Sequence, residues 1–71
     1  MLNVKDIEYV AAIDKAGSIL KAANNIGLSQ PALTKRLQNL EKQLQLKLFD
    51  RLAKGVQPTQ AGQIFLAEGR K

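Results

Sequence analysis

A run of polar side chains after Ser29 carries donor and acceptor groups suited to reading the edges of base pairs. In an α-helix of about 100° per residue, five of them fall on one arc: Gln30, Pro31, Thr34, Lys35 and Gln38. Gln can bond N6 and N7 of adenine together, Lys can reach O6 or N7 of guanine, and the Thr34 methyl group can contact that of thymine. The arc contains no acid, and Glu41 is expected to lie away from it. Since solvated faces usually mix acids with bases, this favours a nucleic acid partner, with a merely solvated face as the alternative.

Two serines and two basic residues extend the candidate site. Ser18 and Ser29 each precede a predicted helix, where the hydroxyl caps the first turn and the free N–H groups favour a phosphate. Arg51 and Lys54 fall in a predicted hairpin, from which a basic side chain can reach the backbone or the minor groove. Each also has a simpler explanation, because serines cap helices in any protein and Arg51 could pair with a nearby acid. Only the joint arrangement favours binding.

Two helices joined by a glycine-containing turn would position the polar arc. Apolar spacing predicts helices over about residues 3–16 and about residues 19–26, and a third that begins after Ser29. Gly27 can take the left-handed conformation that commonly ends a helix. Leucines at spacings of four, three and four give the third helix a narrow core-facing seam: Leu33, Leu37, Leu40 and Leu44. Together these features predict a helix-turn-helix.

A small hairpin and a fourth helix are predicted to follow. Residues 48–51 and 56–58 are the two expected strands, with residues 52–55 as the loop. Pro58 is tolerated only on an edge strand, which suits a two-stranded wing. Thr59 then caps a helix whose apolar residues include Ile64, Phe65 and Leu66.

Composition excludes several classes of function. The 71 residues include no Cys and no His, which rules out disulfides and the usual zinc ligand sets. The net charge is +5, and all of it resides in residues 35–71. A basic half-chain of this kind suits an anionic partner. The sequence has no apolar run as long as the roughly 18 residues of a membrane span, so we expect a cytoplasmic protein.

The alternatives to DNA binding are an enzyme, an RNA-binding or membrane-surface protein, and a protein-interaction module. An enzyme is disfavoured because no nucleophile, base or carboxylate cluster is visible, and Asp6 and Glu8 lie on different helix faces. RNA or membrane-surface binding would need stacking aromatics or a strongly basic amphipathic helix. The aromatic residues are Tyr9, Phe49 and Phe65, and the last two are predicted to lie in the apolar core. A protein-interaction module remains open and is compatible with DNA binding.

Several short motifs stand in a recognisable order along the chain. They are Ala16-Gly17-Ser18-Ile19, Ala22-Ala23, Ile26, Ser29-Gln30-Pro31-Ala32-Leu33-Thr34, Leu40-Glu41, Leu48-Phe49-Asp50-Arg51 and Thr59-Gln60-Ala61-Gly62. Each is weak alone, but the set at these separations is specific. From about Val4 to Leu66 the sequence resembles the N-terminal domain of LysR-type bacterial transcriptional regulators.

The resemblance implies a mainly α fold and a role in regulating transcription. It implies a winged helix-turn-helix of three helices and a β-hairpin wing over residues 1–58, then the start of a linker helix over residues 59–71. The positions that it matches to DNA are Ser18, Ser29, Gln30, Pro31, Thr34, Lys35, Gln38, Arg51, Lys54 and Thr59. The resemblance also places three residues at the contact between the linker helices of two subunits, namely Ile64, Phe65 and Leu66.

The resemblance also implies partners. Double-stranded DNA would be bound at an interrupted inverted repeat by a homodimer, or by a tetramer in the intact protein, at the nucleoid of a bacterial cytoplasm. Full-length members continue into a domain that binds a small-molecule effector. We expect this chain to stop short of that domain and therefore to hold no cofactor of its own.

Three positions depart from the family pattern. Leu20 stands where many relatives have Ser or Thr, so one phosphate hydrogen bond is lost. Gln38 stands where a base is common, which is expected to weaken phosphate anchoring. Gln45 replaces a common glycine, and a left-handed cap without glycine costs roughly 1 kcal/mol. The end of the third helix is therefore left open by the sequence.

Overall fold

The computed structural model describes residues 4–69, which form four helices and one antiparallel pair of strands. The elements are α1 (Val4–Ala16), α2 (Ile19–Ile26), α3 (Gln30–Leu44), β1 (Phe49–Leu52), β2 (Gly55–Pro58) and α4 (Gln60–Gly69). This order confirms the predicted winged helix-turn-helix with a further helix behind it. The predicted helix start at residue 3 and the last two residues of the 59–71 segment lie outside the described residues. No helix within residues 4–69 is long and apolar enough to cross a membrane.

The helix boundaries around the turn are set by residues suited to capping. The Ser18 hydroxyl oxygen accepts a hydrogen bond from the Lys21 N–H at 3.3 Å and so begins α2. Ser29 does the same for α3, where its oxygen accepts from the Ala32 N–H at 3.2 Å. Between them Gly27 ends α2 with φ +73°, a left-handed conformation that costs glycine little. Both predicted serine caps are therefore confirmed.

The end of α3, which the sequence left open, falls at Leu44. Gln45 takes the left-handed conformation, with φ 57° and ψ 35°, although it is not glycine. Its N–H donates to the carbonyls of Glu41 and Lys42, and the Leu46 N–H donates to the Glu41 carbonyl at 3.1 Å. These bonds satisfy carbonyls that a helix end otherwise leaves unpaired and offset the roughly 1 kcal/mol of backbone strain.

One apolar core lies between the first three helices, the hairpin and α4. Its buried members are Val10, Ile13, Ile19, Ala22, Ala23, Leu33, Leu37, Leu40, Leu48, Phe49, Val56 and Leu66. Leu44 lies at the margin of the predicted leucine seam and is half-buried, and Val4 is exposed. The expectation that Leu66 contacts a second subunit was wrong. Its side chain is only 5% exposed because it faces inward from α4.

The hairpin has a tighter turn than the sequence indicated. Its register pairs Phe49 with Pro58 and Leu52 with Gly55, so the loop is the two residues 53–54 rather than residues 52–55. Gly55 has φ +134°, which no other residue adopts readily, and this lets β2 begin directly after the loop. The predicted loop was therefore one residue too long at each end.

Candidate nucleic-acid interface

The outer face of α3 and the first strand of the hairpin together line an open hollow. The residues that line it are Gln30, Pro31, Thr34, Lys35, Gln38, Asn39 and Arg51. Five of them are the predicted arc of α3, and Arg51 reaches the same surface from β1. All are exposed except Thr34, which is half-buried. The structure therefore gathers most of the predicted site on one solvent-facing surface.

Burial on the opposite side of α3 determines which way this surface faces. Leu33, Leu37 and Leu40 are 0%, 8% and 3% exposed. Burying a leucine side chain contributes about 1.5–3 kcal/mol. Turning the helix about its axis would expose the three leucines and lose this free energy for each of them. The polar arc is held outward for this reason.

Glu41 does not lie away from the polar surface, as was expected, and this prediction was wrong. It lines a second, smaller hollow together with Thr34, Gln38 and Arg51. Eleven residues after Gln30, an ideal helix returns to about the same angle, which explains its position. The carboxylate accepts hydrogen bonds from the backbone N–H groups that lead into β1, at 2.6 Å and 3.4 Å. Its charge is therefore directed at the hairpin backbone.

The hairpin presents two basic side chains at different distances from α3. Arg51 is exposed and lines both hollows beside α3. Lys54 is also exposed and occupies the two-residue turn, but it does not line either hollow. The structure thus joins Arg51 to the α3 surface and leaves Lys54 at the far tip of the hairpin.

The three hydroxyl groups predicted near the DNA backbone differ in whether their proton is free to be donated to a phosphate. In Ser18 and Ser29 the oxygen accepts from the helix backbone, so the hydroxyl proton can still be donated to a phosphate. In Thr59 the hydroxyl donates to the Lys47 carbonyl and accepts from the Gly62 N–H at 3.0 Å. Because a hydroxyl has one proton, Thr59 links the segment before β1 to the first turn of α4 and has none to offer a phosphate.

Sequence reasoning missed two polar residues at this surface. Asn39 lines the hollow with Lys35, which precedes it by one helical turn, so extending the arc by four residues would have found it. Lys47 lines the smaller hollow next to Gln38 and Arg51. Its position follows from the left-handed turn at Gln45, which the sequence left open.

Arg36 is directed away from this surface. Its guanidinium carbon lies 5.2 Å from the centre of the Tyr9 ring on α1, a cation–π contact. The contact links the outer faces of α1 and α3.

A separate apolar groove runs between α1, the segment after α3, and α4. Its lining residues are Ile7, Leu44, Leu46, Leu48, Ala61, Ile64, Phe65, Glu68 and Gly69. Ile64 and Leu46 are 57% and 52% exposed, which is unusual for large apolar side chains that share one groove. Of the three predicted subunit contacts, Ile64 and Phe65 line this groove and Leu66 does not.

A family model described as bacterial regulatory helix-turn-helix protein, lysR family, matches residues 4–63. The chain belongs to the LysR family. The match runs from the start of α1 into α4 and thus includes the whole hollow and the hairpin.

Curated LysR-family relatives are similar over nearly the full chain. The transcriptional regulator TfdT of Cupriavidus pinatubonensis is 39% identical over 70 residues, which are 99% of this chain and 31% of TfdT. The probable RuBisCO transcriptional regulator of Porphyra purpurea is 44% identical over 67 residues, which are 94% of this chain and 21% of that protein. The chain therefore spans less than a third of the length of these relatives.

Solved structures of LysR-family proteins have the same fold. The crystal structure of the CbnR DBD–DNA complex matches with a TM-score of 0.91 and 33% identity, covering 97% of this chain and 79% of that chain. The BenM DBD complex with benA site 1 DNA matches with a TM-score of 0.90 and 29% identity, covering 97% and 78%. Both structures contain DNA.

Proposed function

We propose that this chain binds double-stranded DNA with sequence specificity, as the DNA-binding part of a bacterial transcriptional regulator. The observation that supports this best is the single hollow that joins the polar arc of α3 to Arg51 of β1. The major groove of B-DNA is about 12 Å wide and admits one α-helix. The α3 helix enters that groove, and the hairpin lies on the flanking backbone or minor groove.

The residues have separate tasks in this proposal. Gln30, Thr34 and Lys35 contact base edges, because their amide, methyl and ammonium groups complement adenine, thymine and guanine. Pro31 and Gln38 flank them on the same arc, and Asn39 extends it. The backbone is held by Ser18 and Ser29 through their hydroxyl protons and helix N-termini, and by Arg51 and Lys54 through their charges.

We also propose that the chain forms a homodimer along α4. The exposed side chains of Ile64 and Leu46 would be covered by the α4 helix of a second copy. Two copies related by a twofold axis present two α3 helices, so the operator is an interrupted inverted repeat. A tetramer is proposed for the intact regulator.

Membership of a bacterial regulatory family supports the remaining proposals. Residues 1–58 are proposed as the winged helix-turn-helix and residues 59–71 as the start of a linker helix. We assign the chain no catalytic role and no cofactor, and we place the regulator at the nucleoid in the bacterial cytoplasm. A small-molecule effector is proposed to bind a part of the regulator that this chain does not include.

The test is DNA binding at two salt concentrations. Fluorescence anisotropy would compare an inverted-repeat duplex, selected from random sequence with this chain, against a scrambled duplex of equal length. We expect tighter binding to the selected duplex at both concentrations, with a steep fall in affinity as salt rises because phosphate contacts release counterions. Equal binding to both duplexes at every salt concentration would overturn the claim of specificity. Sedimentation of the same samples tests the proposed dimer. A chain that stays monomeric at high concentration would contradict it.

A further inference from the structure

We infer that Gly55 is a positioning residue for DNA binding, because it lets the hairpin dock on the turn between α1 and α2. The inference rests on the proposed function and adds a residue that contacts no DNA in that proposal. Gly55 acts through the two basic residues of the hairpin, Arg51 and Lys54, whose position relative to α3 depends on this docking.

The docking contact is a backbone hydrogen bond beside a very close approach. The Val56 N–H donates to the Gly17 carbonyl at 3.0 Å. A Cβ added to Gly55 would lie 2.2 Å from that same carbonyl oxygen, well inside the 3.0 Å that real Cβ atoms respect. The atom it would meet is backbone, which cannot rotate away as a side chain can. Only glycine at this position permits the hydrogen bond.

The Gly17 carbonyl belongs to a turn that is itself fixed. The Gly17 N–H donates to the Ile13 carbonyl at 2.8 Å and so closes the end of α1. The next residue, Ser18, caps α2. The hairpin is therefore bonded to the turn that joins α1 to α2, the first helix of the helix-turn-helix.

Because β1 and β2 are paired, a movement of Gly55 would also move the two basic residues of the hairpin. Gly55 pairs with Leu52, and Val56 pairs with Arg51. Lys54 immediately precedes Gly55 in the two-residue turn. A shift of β2 away from Gly17 therefore carries Arg51 out of the hollow that it shares with α3 and moves Lys54 with it.

The first test compares Gly55→Ala with Gly27→Ala. Gly27 has φ +73°, and an added Cβ there would meet nothing within 4 Å, so this control adds left-handed strain without a collision. We expect Gly55→Ala to weaken binding to selected and scrambled duplexes by the same factor, about tenfold at about 0.1 M salt. The slope of log affinity against log salt should fall by up to about 2, since two cations lose their phosphates. Gly27→Ala should leave that slope unchanged.

A double-mutant cycle distinguishes positioning from general damage. In an Arg51→Ala/Lys54→Ala background, Gly55→Ala should change affinity by less than about threefold, because the groups through which it acts are gone. An equal loss in both backgrounds would overturn the inference, as would a changed base preference with an unchanged salt slope. The wild-type titration in the same series tests the proposed function separately. If the wild-type chain showed no preference for the selected duplex, sequence-specific binding would be contradicted, but the salt slopes of the wild type and the variants could still be compared.

A second variant covers the case in which Gly55→Ala does not fold by circular dichroism. Chemical synthesis of the 71-residue chain with an ester in place of the Val56 amide removes the N–H that reaches Gly17 and leaves every side chain unchanged, although it also weakens the Gly55 carbonyl as an acceptor. The same loss of salt slope, with unchanged base preference, is expected for the folded ester. A folded ester with the wild-type slope would overturn the inference.

Discussion

The two parts of the proposed DNA surface, α3 and the hairpin, are held in place by different forces. Three leucines buried beneath α3 fix its rotation, and burial of each contributes about 1.5–3 kcal/mol. The hairpin contributes Phe49 and Val56 to the core, but its outer half is positioned by the hydrogen bond to Gly17. In the proposed complex, base recognition by α3 therefore depends on core packing, whereas the phosphate contacts of the hairpin depend on a few hydrogen bonds of its backbone.

The difference matches the demands of the two tasks. Base-edge contacts need groups fixed to within a fraction of an ångström, which a packed helix provides. Phosphate contacts proposed for Arg51 and Lys54 set the register of the protein on the duplex, so the hairpin must stay docked on its turn, but they do not need the precision of a base-edge contact. Glu41 connects the two parts, since it lies on α3 and its carboxylate holds the backbone that leads into β1.

The largest effect is expected from Leu33→Ala. Removing this fully buried side chain should lower the free energy of unfolding by about 2–5 kcal/mol. A core of this size gives a net stability of roughly 3–5 kcal/mol. A large fraction of the variant molecules should therefore be unfolded at about 37 °C, and DNA binding should be lost with the fold. Urea unfolding followed by circular dichroism measures the change. The volume-conserving Leu33→Met is the control, and if it destabilised as much as alanine, loss of buried volume would not be the cause.

Glu41→Ala tests the link between helix and hairpin. The N–H groups of Leu48 and Phe49 would lose their acceptor, which should lower the free energy of unfolding by about 1–3 kcal/mol. Glu41→Gln keeps one oxygen acceptor and should lose less. Amide hydrogen exchange by NMR should show faster exchange at Leu48 in the alanine variant only. Equal protection of that amide in both variants would contradict the role given to the carboxylate.

Gln30→Ala tests specific reading. The amide contact with a base pair is lost, so we expect affinity for the selected duplex to fall by roughly 1–3 kcal/mol while affinity for scrambled duplex hardly changes. Binding to duplexes that vary one base pair at a time measures this. Gln43→Ala, which removes the same exposed side chain from a position of α3 that lines neither hollow, is the matched control. Uniform weakening on all duplexes would place Gln30 among the backbone contacts instead.

The smallest effect is expected from Lys54→Ala. This exposed lysine at the hairpin tip should weaken binding to every duplex alike and reduce the salt slope by about 1. Lys15→Ala, an exposed lysine in the last turn of α1, removes the same charge from a helix with no proposed DNA contact. Titrations at several salt concentrations separate the two. A loss confined to one base position would contradict the backbone role of Lys54.

Local sequence signals located the helices and their caps well. Ser18, Gly27 and Ser29 each act on the turn next to them, so their roles followed from neighbours in sequence. The leucine seam of α3 was likewise readable from spacing, and it oriented the polar arc correctly. The hairpin and the fourth helix were also predicted from local residues, and the family resemblance, which the family match confirms, interpreted the fourth helix as the start of a linker helix.

The errors came from contacts between residues far apart in sequence. The loop was drawn too long because β2 starts at Gly55, whose conformation is stabilised by Gly17, distant in the chain. Leu66 was assigned to a subunit contact because helical spacing does not tell which of two apolar faces of α4 meets the core. Glu41 was placed away from the arc although an ideal helix returns it to about the angle of Gln30, and its two backbone partners lie in the following segment, which helical spacing does not describe.

The position of Arg36 over Tyr9 has a consequence for how charge is counted in this protein. Lys35 and Arg36 are adjacent, yet they diverge by about 100° around α3, and only Lys35 lines the hollow. The net charge of +5 counts them equally. The number of ions displaced on binding depends on which cations reach a phosphate, so it reflects the geometry of the surface and not the formal total.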